Sequence, residues 1–358
     1  MKKVLILANS SGGLYDFRNE LVLELLNEYE VYVSVPDEVA VDKLRKEGCQ
    51  VIHTEINRRG MNPVQDMGLF FSYWKLIGKI KPDVILTYTI KPNIYGGFCA
   101  RLKKVPYIVN ITGLGTTFER GGMLQKMVVT MYRMALKKSA CVFFQNDKNR
   151  QIFVKNKIKG KKDRRVNGSG VNLKAHPYER YPGNEKPRFL FVGRLMKEKG
   201  IEEFLSSAKK YAKRAEFDII GYCEEAYEKE VEQLQKDCVV HFYGFQTDVN
   251  SFYKDADAII IASYHEGMSN VLLEAAATGR PVLATNINGC KEAVEDGKTG
   301  LLFEPRSGQA LEEAIEAFVK MSAAEREQMG KNARAKMEQE FDRKHVVMAY
   351  IEEIKSVC

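Results

Sequence analysis

The sequence predicts two doubly wound α/β domains, each built on a parallel sheet with helices on both faces. The 358 residues exceed what one ordinary core holds and suggest about two domains. Short apolar runs alternate with amphipathic helical segments, as in a parallel sheet. The alternation stops at 172–187, where prolines and a glycine break regular structure, and then resumes. We therefore predict a first domain at 1–172, a second at 173–341, and a C-terminal helix at 342–358 that could return to the first domain.

Each predicted strand is a short run of apolar residues. In the first domain the runs are VLIL (4–7), VYVSV (31–35), VIL (84–86), YIV (107–109) and CVFF (141–144). In the second they are FLFVG (189–193), FDIIG (217–221), VVHFYG (239–244), AIIIAS (258–263), PVLAT (281–285) and GLLF (300–303). Ligands of open parallel sheets bind beyond the carboxyl ends of the strands, so functional residues are expected in the loops that follow them.

The composition indicates an ordinary globular protein of a reducing compartment. Hydrophobic residues make up 45% of the chain and charged residues 28%, which argues against disorder. The seven cysteines are widely spaced and form no CxxC pair, which argues against disulfides or a zinc site. The apolar stretch at the start is shorter than a signal-peptide core, and no segment approaches the ~20 apolar residues of a membrane span. We expect a cytoplasmic location.

Basic residues are concentrated in the first half of the chain. Residues 1–172 contain 29 Lys and Arg against 15 Asp and Glu, whereas the remainder contains 26 against 32. Such an excess indicates that the first half faces something anionic, which leaves a nucleic acid, a phospholipid surface or a phosphorylated substrate open.

Two motifs of the second domain carry the candidate chemistry. GRLMKEKG places Arg194 and Lys199 after a predicted strand, and these cations beside a helix N-terminus suit a diphosphate. The segment EGMSNVLLE places Glu266 and Glu274 eight positions apart around a helix start near Ser269. An acid/base pair for hydrolysis is disfavoured but not excluded, because eight helical residues rise ~12 Å and the carboxyl groups of glycosidases lie roughly 5–9.5 Å apart.

In this order and spacing, the two motifs resemble family 4 of the retaining GT-B glycosyltransferases. The resemblance extends over nearly the whole chain and implies two Rossmann-like domains facing across a cleft, the first binding the acceptor and the second a nucleotide sugar. It implies that Arg194 and Lys199 hold the donor diphosphate, that Glu266 contacts the transferred sugar and that Glu274 bonds the ribose. The donor would also contact the backbone of the next segment: Gly267, Met268, Ser269, Asn270 and Val271.

Five further residues fit the same pattern less specifically. Gly12 and Gly13 follow the first strand and would let the backbone approach the donor phosphate, although a tight turn into a helix explains them equally well. Gly244 and Phe245 would border the nucleobase, unless Phe245 belongs to the core, and Asp248 would start the next helix.

Three segments are similar to a subgroup that extends glycans on polyprenyl diphosphate carriers. They are DFR (16–18), KPNIYGG (91–97) and the TGLG of YIVNITGLG (107–115). Many family members have a histidine near the position of Thr112, and a threonine cannot act as a base near pH 7. The resemblance implies that Thr112 and Lys91 lie on the acceptor or sugar side.

No metal cofactor is expected. The DAD sequence at 255–257 resembles the metal-binding motif of a different glycosyltransferase fold, but both aspartates are interpreted as boundary residues between a helix and a strand. None of the five histidines has metal-ligand spacing, and His265 before Glu266 lacks the second histidine of an HExxH motif.

Two amphipathic segments leave membrane contact open. Phe70, Tyr73, Trp74 and Ile77 would share one face of a helix at 63–80. Met123, Met127, Met131 and Ala135 would share one face of a helix at 122–138. Lysines and arginines lie beside both, so each face could cover the sheet or lie on a membrane. The basic run at 155–165 is interpreted as a solvated loop rather than a membrane contact.

The predicted function is transfer of a hexose or N-acetylhexosamine from a UDP-sugar to a lipid-linked polyprenyl diphosphate glycan, on the inner membrane face and without a metal. A different acceptor or nucleotide sugar, and a GT-B nucleotide-sugar epimerase, remain alternatives. A dinucleotide-dependent oxidoreductase is disfavoured because no GxGxxG follows the first strand. A lectin or a nucleic-acid-binding protein would leave the acidic E-x7-E site unexplained, and no nucleic-acid partner is expected.

Overall fold

The computed structural model describes residues 1–57, 62–113 and 122–358. Its chain divides into two units, one formed by Met1–Ser169 with Lys344–Cys358 and the other by Gly170–Arg343. Each unit contains one parallel sheet with helices on both faces. The predicted fold class is therefore confirmed.

The sheet of the first unit has seven parallel strands in the order β3-β2-β1-β4-β5-β6-β7. The central strands are buried at nearly every residue, as expected of a sheet covered on both faces. The strands are β1 Lys2–Leu7, β2 Tyr29–Val35, β3 Gln50–His53, β4 Val84–Tyr88, β5 Tyr107–Ile111, β6 Cys141–Phe144 and β7 Asp163–Arg165.

The two edge strands were not predicted. β3 and β7 are short and are polar or half-exposed, so they lack the apolar run that marks a buried strand. The interpretation of 155–165 as a solvated loop is thus wrong for its last three residues, which pair with β6.

Two helical layers cover this sheet. Helices α1, α2 and the C-terminal helix α13 pack on one face, and α3, α4, α5 and α6 pack on the other. A π-helical turn, Pro92–Gly96, precedes α4. The helices are α1 Ser11–Leu26, α2 Val41–Glu47, α3 Pro63–Ile80, α4 Gly97–Leu102, α5 Gly122–Leu136, α6 Asp147–Lys155 and α13 Arg343–Val357.

Helix α13 is fixed to the first sheet by aromatic, polar and ionic contacts. The Tyr350 ring stacks on Phe143 with centroids 4.1 Å apart, and its hydroxyl donates to Asn110. Burial raises the pKa of Tyr350 well above its ordinary value. The Glu353 carboxylate accepts from Lys162 at 2.5 Å and Arg164 at 3.0 Å. These contacts attach the last helix to the domain formed by the start of the chain.

The second unit has a six-stranded parallel sheet in the order β10-β9-β8-β11-β12-β13. Its strands are β8 Arg188–Val192, β9 Glu216–Ile220, β10 His241–Phe242, β11 Ala258–Ile261, β12 Val282–Thr285 and β13 Gly300–Phe303. Its helices are α7 Ile201–Tyr211, α8 Glu228–Lys236, α9 Asn250–Asp255, α10 Asn270–Ala277, α11 Gly308–Lys320 and α12 Ala323–Lys336, with a π-helical turn at Met337–Phe341.

The strand predicted at 239–244 is shorter in the structure. The amides of Val239 and Val240 bond to the Leu234 carbonyl at the end of α8, at 2.8 and 3.4 Å. The chain therefore joins the sheet only at His241–Phe242. The predicted strand therefore begins too early, because the apolar Val239 and Val240 belong to the turn that follows α8.

The segment between the two sheets, 172–187, forms neither helix nor strand. It is tied to the second unit by the fully buried Arg280. The Arg280 guanidinium donates to the carbonyl oxygens of Glu179 at 3.0 Å and Arg180 at 2.8 Å, and also to those of Tyr253 and Lys254. Carbonyl oxygens thus satisfy a charge that would otherwise be costly to bury.

Among the helices that the structure describes, none combines the length and apolar character needed to cross a bilayer.

Candidate donor-binding site

Close backbone packing brings several loops together at the carboxyl edge of the second sheet. A Cβ atom added at Gly221 would lie 1.7 Å from the carbonyl oxygen of Gly193. One added at Gly200 would lie 2.2 Å from the oxygen of Ala262, and one added at Gly289 would lie 2.6 Å from the oxygen of Glu266. Only glycine fits such approaches. The loops that follow β8, β9, β11 and β12 therefore form one packed assembly.

Arg194 lies two residues beyond the end of β8. Its guanidinium is 3.6 Å from the Glu224 carboxylate, which belongs to the loop after β9. Leu195 and Cys223 form a parallel bridge beside this ion pair. Glu224 could not be predicted, because nothing local in the sequence marks it as the partner of a residue thirty positions earlier.

Lys199 ends a single 3₁₀ turn, Lys197–Lys199. Gly200, the residue before α7, then adopts φ +72° and turns the chain sharply into that helix. The Lys199 ammonium donates to Glu266 Oε1 at 2.5 Å, and both side chains are largely buried. The structure thus joins the lysine of the first motif to the leading glutamate of the second.

Ser269 caps α10, as the sequence predicted. Its hydroxyl accepts from the Leu272 amide at 3.4 Å, and its own amide donates to the Gly289 carbonyl at 3.0 Å. Gly267 and the buried Met268 lie in the turn before the cap, and Asn270 and Val271 are the first two helical residues. All five predicted backbone positions therefore surround one helix N-terminus, where amide groups and the helix dipole favour an anion.

Glu274 lies in the second turn of α10. Its Oε2 accepts a hydrogen bond from the Tyr253 hydroxyl at 3.0 Å. Tyr253 is fully buried, and burial, followed by the neighbouring Glu274 carboxylate, raises its pKa well above the ordinary value. A tyrosine that stays protonated is a fixed donor, so the orientation of Glu274 is set by α9. The two glutamates of the E-x7-E segment thus have different partners, lysine for Glu266 and tyrosine for Glu274.

Gly244 and Phe245 follow β10. Gly244 has φ +65°, and its carbonyl accepts from the Gly221 amide at 2.9 Å. Phe245 is 69% exposed, so the alternative interpretation of Phe245 as a core residue is wrong. The exposed ring of Tyr222 lies 6.5 Å from it between centroids. No motif in the sequence singles out Tyr222, which adds a second exposed aromatic ring to this edge.

Asp248 does not begin the following helix. Helix α9 starts at Asn250, and Asp248 lies two residues earlier with its carboxylate accepting from the Asn250 amide at 3.1 Å. Its prediction as the first helical residue was therefore wrong by two positions.

Gly12 and Gly13 lie inside the first turn of α1 in the first unit. Ser10 caps that helix by accepting from the Gly13 amide at 3.2 Å. The two glycines therefore form the tight turn into a helix, which was one of the two interpretations left open by the sequence. They belong to a helix N-terminus at the carboxyl end of β1.

Thr112 directly follows β5. Its carbonyl accepts from the Gln145 amide at 3.0 Å, and the Gln145 oxygen accepts from the buried Arg18 at 3.0 Å. Arg18 belongs to the DFR segment, which is therefore linked to Thr112 through Gln145. Residues 114 and 115 of the TGLG segment lie outside the described residues.

Lys91 is held in an ion pair. Its ammonium donates to Asp66 at 2.7 Å, and both side chains are largely buried. This partner was not predicted from the sequence. The pair joins the first turn of α3 to the π-helical turn of the KPNIYGG segment.

The two aspartates of the DAD sequence are boundary residues, as interpreted. Asp255 ends α9, and Asp257 accepts from the Asn184 side chain at 2.7 Å and the Arg188 amide at 2.9 Å. Across residues 1–57, 62–113 and 122–358, no group of three or more His, Cys, Asp or Glu side chains is arranged to hold a metal ion.

Two family models match the chain, "Glycosyl transferases group 1" over residues 179–336 and "Glycosyl transferase 4-like" over residues 3–146. The protein belongs to the group 1 glycosyltransferases. This glycosyltransferase has the GT-B fold, with a TM-score of 0.81 to HepE of Anabaena, a structure solved with UDP-glucose. That match covers 99% of this chain and all of HepE at 18% identity.

The names of two curated relatives of this glycosyltransferase specify lipid-linked sugars as substrates. One, from Campylobacter jejuni, is the N,N'-diacetylbacillosaminyl-diphospho-undecaprenol alpha-1,3-N-acetylgalactosaminyltransferase, 26% identical over 86% of this chain and 87% of its own length. The other, from Escherichia coli, is the UDP-Gal:alpha-D-GlcNAc-diphosphoundecaprenol alpha-1,3-galactosyltransferase, 28% identical over 69% of this chain and 68% of its own.

Proposed function

We propose that this glycosyltransferase moves a hexose or N-acetylhexosamine from a UDP-sugar onto a polyprenyl-diphosphate-linked glycan at the cytoplasmic membrane face, in the synthesis of a surface glycan. The observation that carries the proposal is the Lys199–Glu266 pair before the N-terminus of α10. It combines a cation suited to phosphate with a carboxylate suited to sugar hydroxyls. The named substrates of the two curated relatives support the acceptor class.

The donor end of the reaction is assigned to the second unit. Arg194, Lys199 and the amides of Gly267, Met268, Asn270 and Val271 would neutralise the diphosphate as the bond between the sugar and UDP breaks. Glu266, already bound to Lys199 through Oε1, keeps Oε2 for a sugar hydroxyl. Glu274, oriented by Tyr253, would accept from a ribose hydroxyl.

The residues that would contact the nucleobase complete the donor assignment. Gly244 and Phe245 would border the nucleobase, and the exposed Tyr222 beside Phe245 adds a face on which a base can stack. Gly12 and Gly13, at the N-terminus of α1, are assigned to the donor phosphate from the first unit.

Retention of configuration is assigned to attack on the same face that UDP leaves. The acceptor hydroxyl oxygen forms the new bond to the anomeric carbon while the bond to the UDP oxygen breaks. The hydroxyl proton passes to the leaving phosphate oxygen. This route requires neither a protein carboxylate as nucleophile nor a metal ion, since the cations of the protein stabilise the leaving charge.

The first unit is assigned to the acceptor. Its excess of Lys and Arg over residues 1–172 suits a diphosphate-linked lipid at an anionic surface. Thr112 would bond an acceptor or sugar hydroxyl, and its backbone is held by Gln145 and Arg18. Lys91 is also assigned to the acceptor or sugar side. Its ion pair with Asp66 would position the π-helical turn next to the acceptor.

A thermal-shift panel tests the donor class. We expect UDP and UDP-hexoses to raise the unfolding temperature more than GDP- or ADP-sugars at equal concentration, because a ligand stabilises the fold by RT ln(1 + [L]/Kd). A matched titration with uridine alone should give a much smaller shift, since it lacks the diphosphate. Equal shifts from all nucleotide sugars, or none from any, would contradict a UDP-specific site.

A further inference from the structure

Three neighbouring helices of the first unit expose an unusual amount of apolar surface. The chain has eighteen exposed large apolar side chains among its described residues, and nine of them lie on α3, α4 and α5. These nine are Val64, Met67, Phe71, Trp74, Leu102, Met123, Leu124, Met127 and Met134. We call them the apolar patch.

On α3 the patch forms one stripe opposite the core. Val64, Met67, Phe71 and Trp74 are 81%, 54%, 52% and 36% exposed. Their spacing of three and four residues places them on one side of the helix. Leu69, Tyr73, Ile77 and Ile80 point into the core on the other side. Helix α3 is therefore apolar on both its inner and its outer side.

The stripes predicted from the sequence differ from this arrangement. Tyr73 and Ile77 are buried while Trp74 is exposed, so the predicted α3 face is divided between core and surface. On α5, Met123 and Met127 are exposed while Ala135 is fully buried. The sheet-covering interpretation holds for the inner residues and leaves the outer ones unexplained.

Contacts between the helices make the patch continuous. Lys103 lies 4.0 Å from the Trp74 ring centroid, and Leu102 is exposed beside it. Arg101 donates to the Met134 carbonyl at 2.5 Å. Helix α4 thus bridges the outer stripe of α3 and that of α5.

The exposed charges carried by these three helices have one sign. Helices α3, α4 and α5 contain a single carboxylate, Asp66, which is buried against Lys91. Exposed basic residues flank the stripes instead, namely Lys75, Lys79, Lys104, Lys126, Arg133, Lys137 and Lys138. A surface helix normally presents both signs of charge and few apolar residues. Exposed apolar residues on helices whose exposed charges are all cationic match an anionic lipid surface, in which the rings enter the acyl boundary and the ammonium groups meet phosphates.

We propose that the apolar patch docks this protein on an anionic phospholipid bilayer, with Phe71 and Trp74 entering the interface. The proposal deepens the proposed function, because a lipid-linked acceptor would be reached from that surface. Trp74 is the one tryptophan of the sequence, so its fluorescence reports directly on the patch.

The test combines Trp74 emission with vesicle flotation. With vesicles of equal parts phosphatidylcholine and phosphatidylglycerol, we expect a blue shift, quenching by brominated acyl chains, and co-flotation that weakens as salt rises. Met67→Ser with Phe71→Ser should lower the partition coefficient about tenfold, and Lys75→Glu with Lys79→Glu should do the same. The matched control, Val154→Ser with Met348→Ser, removes exposed apolar residues elsewhere in this unit and should partition like the unaltered protein.

Several results would overturn the proposal: unchanged emission without flotation, equal binding to pure phosphatidylcholine, or equal loss in the control. A dimer in solution that dissociates on Phe71→Ser would instead assign the patch to a second copy. UDP binding without vesicles is measured for every variant. Retained UDP binding with no vesicle binding refutes only the docking surface, whereas vesicle binding with no UDP binding refutes the donor assignment.

Discussion

Arg194→Ala and Lys199→Ala are each expected to lower kcat/KM for sugar transfer by about 100- to 1000-fold, the usual loss when one group that stabilises developing charge is removed. Arg194 is held by Glu224 and Lys199 by Glu266, so both cations are positioned before a donor arrives. Steady-state release of UDP, measured together with UDP affinity, determines whether the loss lies in binding or in turnover.

Lys197→Ala is the matched control for this experiment. Lys197 belongs to the same 3₁₀ turn as Lys199, but its ammonium faces Glu202 at 3.1 Å and its side chain is mostly exposed. We expect its kcat/KM to stay within about twofold of the unaltered enzyme, as for most surface charges. Near-normal turnover in Arg194→Ala and Lys199→Ala, or an equal loss in Lys197→Ala, would contradict the assignment of the diphosphate site.

Gly200→Ala is expected to cost about 4 kcal/mol or more of folding free energy and to abolish transfer. Gly200 has φ +72°, and its added Cβ would lie 2.2 Å from the Ala262 oxygen and 2.4 Å from the Ala262 Cβ. Because these atoms belong to the chain after β11, relief of the clash must separate Lys199 from the loop of Glu266. Urea unfolding, monitored by the circular dichroism of the whole protein, measures this loss of folding free energy.

Gly297→Ala separates backbone strain from this clash. Gly297 has φ +73°, yet its added Cβ would meet nothing within 4 Å. Only the left-handed conformation is penalised there, at about 1–2 kcal/mol, and activity should persist. Equal destabilisation by the two substitutions would show that close packing at Gly200 contributes nothing.

The buried strands could be predicted because an apolar run bounded by turn residues marks them, as at Val84–Tyr88 and Ala258–Ile261. The edge strands β3 and β7 lack that signal, since an edge residue need not be apolar. The turn after α8 produced the opposite error, because its apolar residues Val239 and Val240 imitate a strand.

In the candidate site, the residues of continuous motifs could be predicted and their partners could not. Arg194 and Lys199 stand in one motif, whereas Glu224 and Tyr253 come from loops and helices brought near only by folding. The division of α3 between core and surface could not be predicted for a related reason. Helical periodicity groups residues by side, but α3 is apolar on two sides, so periodicity alone could not separate Tyr73 from Trp74.

The most direct test of the central claim follows a labelled sugar from donor to product. The enzyme is incubated with UDP-[¹⁴C]galactose or UDP-[¹⁴C]N-acetylgalactosamine, with and without an undecaprenyl-diphosphate-linked glycan. The account predicts label in the lipid phase only when acceptor is present, in an α-linkage that retains the donor configuration. Label that stays on the nucleotide as an epimer without acceptor, or that appears only as free sugar, would contradict it.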